Sequence, residues 1–330
     1  MTTMKRAYTA LGSENVFLIG ALIAVVIGFS SATPLFMTPA NFGSMAFQLP
    51  ELGLLTLAMM VPILSGGLNL AIIFQANISG LALAAVLIHF GGVDAGYDAF
   101  ALGVAAALAV GGISGAVMGL VVAYMGAHPI LVSLAMMIFL RGLGEFLTKG
   151  GDISGFPPFM ETIGHGYLWG IPIPLLIFLG AAVVWHIMLR YTKHGFSVYM
   201  IGSNIQASEY SGLNTRRTLT MIYTISGMVC AIAGILMAAR FNSVRVGHGE
   251  ALLLVTVLAC FLGGLDPFGG FGRVVPVVLA LCMLQALSSG LNLIGANQHL
   301  STAVWGLFLI GVMAFRWAAS RLHLTNRRRS

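Results

Sequence analysis

From Val16 to Phe315 the chain is a succession of apolar segments, most of them near the length a helix needs to cross a bilayer, around 20 residues. Segments of that length read as spanning helices, because backbone groups inside lipid must be satisfied within the protein. The fold class that follows is an all-α polytopic membrane protein. Composition agrees: 58% of the residues are hydrophobic and 8% are charged, where a soluble domain has about a quarter charged.

Taken in order, the expected spans are Val16–Ser31, Leu52–Leu64, Leu68–Phe90, Ala99–Met125, Pro129–Leu147, Leu168–Leu189, Leu219–Ala239, Ala251–Leu262, Val274–Leu293 and Ala303–Phe315. Pro34 and Pro39 break the chain after the first. Pro129 is a good first-turn residue for the fifth. The small residues Gly111, Gly112, Ser114, Gly115 and Gly119 of the fourth allow close helix contact in lipid. The first run follows Lys5 and Arg6 without a convincing cleavage site and is read as a retained span.

Loop charge sets the topology. Gly91–Asp98 carries Asp94 and Asp98 and no cation, so it reads as external, as do Lys149–Tyr167 and Phe241–Glu250. About ten spans with both termini in the cytoplasm keep nearly all basic loop charge inside, with Lys149, Arg240 and Arg245 as exceptions. The short second and eighth segments allow a re-entrant reading with about eight spans. The expected division is a cytoplasmic tail at 1–14, a transmembrane domain at 15–318 and a basic cytoplasmic tail at 319–330. The net charge of +6 reports this topology and contact with anionic lipid, not nucleic acid.

The longest polar interval is Arg190–Arg217, with Arg190, Lys193, Arg216 and Arg217 as its basic residues. Within it, Ser203 through Gln206 reads as a capping box, and Gly212 followed by Leu213 as a helix stop. Between them is a helix of about eight residues, roughly 12 Å long. A short capped helix on the cytoplasmic side has a shape that fits a groove on a soluble partner; it also fits a plain connection between spans.

Enzymatic signals are thin. The chain has no HExxH zinc site and no GxxxxGK[ST] phosphate loop, so it cannot hydrolyse ATP by that route. Cys230, Cys260 and Cys282 lie in apolar runs without CxxC spacing and read as packing residues, and no metal site is expected. Gly112–Gly115 fits the GxSG pattern of intramembrane serine proteases; Ser114 would need a His base from another helix, and His186, the only clearly intramembrane histidine, is near a cytoplasmic end, so helix packing is the plainer reading. Gly263–Arg273 is a tight Gly-rich turn. Arg141 and Glu145 pair at i and i+4 on the fifth span. Asn69, Gln75, Asn77, Thr256, Gln285, Ser288 and Asn292 offer uncharged donors and acceptors, suited to a hydroxyl-rich solute or to gluing helices together. Ser65–Leu70 (SGGLNL) is echoed by Ser288–Leu293 (SSGLNL), as paired broken helices or by chance.

Several motifs in shared order resemble the membrane-spanning permease subunits of ATP-binding-cassette importers for ribose, other monosaccharides and autoinducer-2. They are Ile63–Leu70, Pro129–Leu143, Met200–Arg217, Ser226–Arg240, Leu262–Gly264, Gly269–Gly272 and Gly290–Leu293. The likeness covers most of the chain from about Asn41 onward. It implies that Ser203, Asn204, Gln206, Ala207, Ser208, Glu209, Tyr210 and Gly212 form a coupling helix set in a cleft of a separate ATPase subunit. It also implies a second permease copy or paralogue, an external solute-binding protein, and ATP and Mg held by the ATPase, with no cofactor in this chain. The location implied is a bacterial inner membrane. Asn69 stands where the family has Asp, Ala71-Ile72-Ile73 where it has Ser-Val-Gly, and Leu253 and Val255 where it has acidic residues. Those departures bear on the solute and accommodate half of a heterodimeric pore. The rival reading is an ion-coupled secondary transporter, for which Glu145 is the one plausible carboxylate.

Overall fold

The computed structural model describes residues 13–297, 300, 303–308, 310 and 311. The described residues form two compact units, one of 13–42 with those from 282 onward, the other of 43–281. Seven helices among the described residues are long and apolar enough to cross a membrane. In chain order the elements are α1 (Ser13–Ala32), α2 (Pro39–Leu64), α3 (Ile72–His89), α4 (Tyr97–Met125), α5 (Pro129–Thr148), α6 (Pro158–His165), α7 (Ile173–Tyr191), α8 (Lys193–Ser203), α9 (Ile205–Tyr210), α10 (Thr215–Phe241), α11 (Leu252–Leu262) and α12 (Val274–Leu293).

Two boundaries correct the reading from sequence. Helix α2 runs for 26 residues and contains Pro50 and Pro62, so its span begins at Pro39 and not at Leu52. Proline is favoured in a first helical turn, and inside a membrane helix neighbours re-satisfy the freed backbone groups. The third expected span loses its first residues, because 65–71 is irregular and α3 starts at Ile72. Helix α11, at 11 residues, is about 16 Å long and too short to cross. The expected tenth span is helical at 303–308, 310 and 311; its other residues, and the tails at 1–12 and 312–330, lie outside the described residues.

In the 43–281 unit the core is the packing of α10 on α4 and α3, and of α3 on α4. Glycine makes that packing close. A Cβ on Gly119 would stand 2.7 Å from the Thr220 Cα, and one on Gly111 would overlap the Gly227 carbonyl. Gly111, Gly115 and Gly119 recur every four residues, so one face of α4 lays bare backbone on α10. Two small antiparallel pairs sit in the loops. β1 (Ile153–Ser154) pairs with β4 (Ser243–Val244), and β2 (Tyr167–Leu168) pairs with β3 (Ile171–Pro172).

In the other unit, the Phe29 and Phe36 rings stack at 5.6 Å. Asn41 Nδ2 donates to the Phe36 carbonyl at 2.8 Å, and Ser289 Oγ donates to Asn41 Oδ1 at 2.5 Å. Ser288–Leu293 belongs to the helix α12, whereas Ser65–Leu70 is a break. The two similar hexapeptides therefore have different structures.

Candidate functional site

Three capped helices in succession build the polar interval. Thr192 Oγ1 accepts the Gly195 N–H at 3.2 Å and starts α8. Asn204 Oδ1 accepts the Ala207 N–H at 2.9 Å and starts α9. Asn214 Oδ1 accepts the Arg217 N–H at 3.0 Å and starts α10. The cap of α9 is thus Asn204 and not Ser203, which closes α8. An extended Asn204 backbone turns the chain between the two helices and leaves its short side chain in reach of the next turn. With six residues, α9 is about 9 Å long.

The end of α9 is as expected. The Gly212 N–H donates to Glu209 O at 3.0 Å and the Leu213 N–H to Ser208 O at 3.1 Å, with Gly212 at φ +81°. That double closure is the left-handed glycine stop. Thr215 Oγ1 donates to Glu209 Oε1 at 2.8 Å and fastens α9 to α10. Ser203, Asn204, Gln206, Ala207, Glu209, Tyr210 and Gly212 are all exposed, Tyr210 at 93%. Ser208 is buried, its hydroxyl donating to Asn204 O at 2.8 Å.

Behind α9 three backbones meet. The Gly270 N–H donates to Leu64 O at 2.9 Å. Tyr199 Oη donates to Gly272 O at 2.8 Å, and burial raises the Tyr199 phenol above its ordinary range while Arg273 opposes the shift. A Cβ on Gly202 would overlap the Leu64 carbonyl, and one on Gly269 would stand 2.8 Å from Gly66 Cα. The end of α8, the end of α2 and the 263–273 turn therefore touch without side chains between them.

The break at 65–71 is pinned from within. Asn69 Nδ2 donates to Gln75 Oε1 and to Ser226 Oγ, both at 2.9 Å, and Asn69 Oδ1 accepts the Ala71 N–H at 3.0 Å. Ser226 Oγ donates on to Ala58 O at 2.7 Å. Gln75 Nε2 donates to Ser114 Oγ at 3.1 Å, and Ser114 Oγ to Gly111 O at 2.9 Å. One chain of hydrogen bonds thus joins α2, α3, α4 and α10. It also accounts for Ser114, whose hydroxyl is engaged by Gln75 and a carbonyl and not by a base. The Tyr223 hydroxyl, buried beside Gly67, has no partner among the described residues.

The other nominated polar residues separate. Asn77 Nδ2 donates to the Val246 carbonyl and, at 3.0 Å, to His248 O, so it holds the 244–250 loop. Thr256 is buried and donates to Leu253 O at 2.6 Å. Gln285 is buried and Asn292 exposed.

Arg141 pairs with Glu145 as expected, Nε to Oε1 at 3.0 Å, and its Nη1 also reaches Glu250 Oε1 at 3.2 Å. The pair is a three-member cluster, half exposed. A second ion pair was not legible as one. Arg240 Nη1 lies 2.7 Å from Glu51 Oε2, with both side chains largely buried. Glu51 lies inside α2, so Glu145 is not the only carboxylate within the helices; starting that span at Leu52 had left it out. In the 244–250 loop, burial first and then Arg245 and Arg240 hold the His248 imidazole below its ordinary range, against an opposing pull from Asp152.

A family model described as branched-chain amino acid transport system / permease component matches residues 41–313. The chain is also similar to the autoinducer 2 import system permease proteins LsrD of Yersinia enterocolitica, Yersinia pseudotuberculosis and Yersinia pestis. Each is 29% identical over 279 residues, covering 83% of this chain and 82% of the relative. No solved structure matches the chain significantly.

Proposed function

Since the chain belongs to the permease-component family of branched-chain amino acid transport systems, we propose that it carries a sugar or sugar-like solute inward through the inner membrane, driven by ATP hydrolysis on a separate subunit that grips α9. The basic 190–217 interval faces the cytoplasm in that reading, as basic loops do. Assembly is with a second permease copy or paralogue, two ATPase subunits and an external solute-binding protein. Likeness to autoinducer 2 import permeases supports a solute of that general class.

The observation that carries the reading is the form of α9. It is capped at both ends, exposed on its outer face, and fastened at its base by the Glu209–Thr215 bond. A load applied to its outer face is thereby delivered to α10 and, through Gly202, to the break at 65–71. Among the polar candidates for the path, Asn292 is the one we put forward for direct solute contact. In that reading Asn69, Gln75, Asn77, Thr256 and Gln285, all buried, are the other residues assigned to the path.

The test uses Glu209→Arg and Gly212→Pro in the full assembly. Both are expected to release the ATPase subunit and stop uptake while membrane insertion continues. Retained co-purification and retained uptake in both variants would refute docking at α9. For the path, Asn69→Ala and Asn292→Ala are expected to alter uptake kinetics; unchanged kinetics in both removes them from it.

A further inference from the structure

The turn between β2 and β3 places Trp169 at φ +54° and Gly170 at φ +79°. Positive φ at both central residues is the type I′ hairpin turn, whose first position favours Asn, Asp or Gly. A bulky side chain there is sterically costly, and such residues persist where they serve a purpose. Trp169 serves none inside the fold. It is 90% exposed.

The rest of the hairpin shares that character. Tyr167, Leu168 and Ile171 are exposed as well, and no Asp, Glu, Lys or Arg occurs between Thr162 and Leu189. Its foot is fixed: the Tyr167 ring meets Phe47 of α2 edge-on at 5.2 Å. Its tip projects.

Helix α7 says what covers the tip. It begins at Ile173, directly after β3, and has 19 residues, so it is about 28 Å long. The hydrocarbon core of a bilayer is about 30 Å thick. One face of α7 is held to the protein by Trp185, whose Nε1 donates to Leu57 O at 3.0 Å. Leu179, Val183, Val184 and Ile187 are exposed and apolar, as lipid contact requires. At its far end Arg190 lies over the Tyr191 ring at 5.5 Å. A span that just fills the core, with Arg190 and Tyr191 at one end, sets the residues before its other end at the opposite headgroup level. An indole, apolar in body with one N–H donor, is the side chain that partitions there.

We propose that the Tyr167–Pro172 hairpin is a bilayer-interface anchor, with Trp169 seated at the headgroup level on the side opposite α9. It fixes the depth of α7, and α7 leads through α8 directly into α9. The depth at which α9 is presented is thus set from the other face of the membrane.

The experiment is the fluorescence of the full chain in phosphatidylcholine vesicles, wild type minus Trp169→Phe. Trp169→Asn, which suits the turn, serves as the blank should the Phe variant fail to fold. The Trp169 component is expected to emit at shorter wavelength than an indole in water. It should lose most of its intensity to lipid brominated near the carbonyl end of the acyl chains, less to lipid brominated near the terminal methyl, and little to aqueous iodide. Quenching by iodide alone, or stronger quenching by the deep bromines, overturns the placement. So does a component quenched by iodide until a solute-binding protein or another permease copy is added, which would make the hairpin a protein contact.

Discussion

Asn69 and Ser226, 157 positions apart in the chain, are joined by a 2.9 Å hydrogen bond that ties the break before α3 to the middle of α10. Asn69→Ala would leave Ser226, Gln75 and the Ala71 N–H each short of a buried partner. At about 1–3 kcal/mol for a group so stranded, a loss of about 3 kcal/mol is expected, read as a lower unfolding midpoint in detergent. Ser226→Ala should cost less. The double variant should fall short of the sum by about 1 kcal/mol, as residues of one network do; strict additivity would show that the bonds act separately.

Gly202→Ala pushes a methyl into the Leu64 carbonyl. Overpacking of this kind costs about 1–3 kcal/mol, so thermal stability should fall while α9 still holds the ATPase subunit. Gly142→Ala, with open space around it, is the control and should leave the midpoint unmoved. Equal midpoints for the two variants would mean that the joint yields freely.

Tyr210→Ala separates docking from folding. The ring is 93% exposed, so its removal should change stability by less than about 0.5 kcal/mol. As an aromatic anchor it should weaken ATPase association by more than about 1 kcal/mol, roughly fivefold. Glu209→Arg is less clean, because Glu209 also accepts from Thr215. Binding titrations of the two purified subunits decide the matter.

The Glu51–Arg240 pair should respond asymmetrically. Glu51→Gln strands a mostly buried guanidinium and is expected to cost about 3–5 kcal/mol, whereas Glu51→Leu with Arg240→Met should recover most of that. Unfolding midpoints of the single and double variants supply the comparison.

His248 makes the 244–250 loop sensitive to acid. Its imidazole titrates below the ordinary value in the fold, about 6.5 in an unfolded chain. The folded state therefore favours the neutral ring. The contribution is complete above the unfolded value and is lost as pH falls through the folded one. Protection of the loop amides, measured against their intrinsic exchange rates, should fall on acidification from about pH 7.5 to about pH 5.5, within the range where imidazoles titrate. The His248 and Phe241 rings lie 4.0 Å apart, tilted by 30°; His248→Phe should keep that contact and remove the loss of protection, and an unchanged pH dependence in that variant assigns it elsewhere.

Local signals in the sequence led to local structure. The i, i+4 spacing of Arg141 and Glu145, the glycine stop at Gly212 and the small-residue face of α4 all appear as expected, because each depends on a few neighbouring residues. What was missed depends on distance along the chain. Glu250 completes the Arg141 cluster from 109 positions away, and Asn77 captures carbonyls 169 and 171 positions away. The uncharged amides of 69–77 had two readings, solute lining and helix glue. For Asn69 and Gln75 the difference lies in Ser226 and Ser114 on other helices, and no pattern within one segment contains it. The expected second span begins at Leu52, whereas α2 carries both Pro50 and Pro62 inside it, where neighbours re-satisfy the backbone groups they free.

The meeting of Gly202, Gly269 and Leu64 has an evolutionary corollary. A seam made of main chain alone carries no recognition code of its own. Its specification is a prohibition: a single added carbon at either glycine wedges the seam apart, and no second-site change of side chain can make room, because the atom it strikes belongs to every amino acid alike.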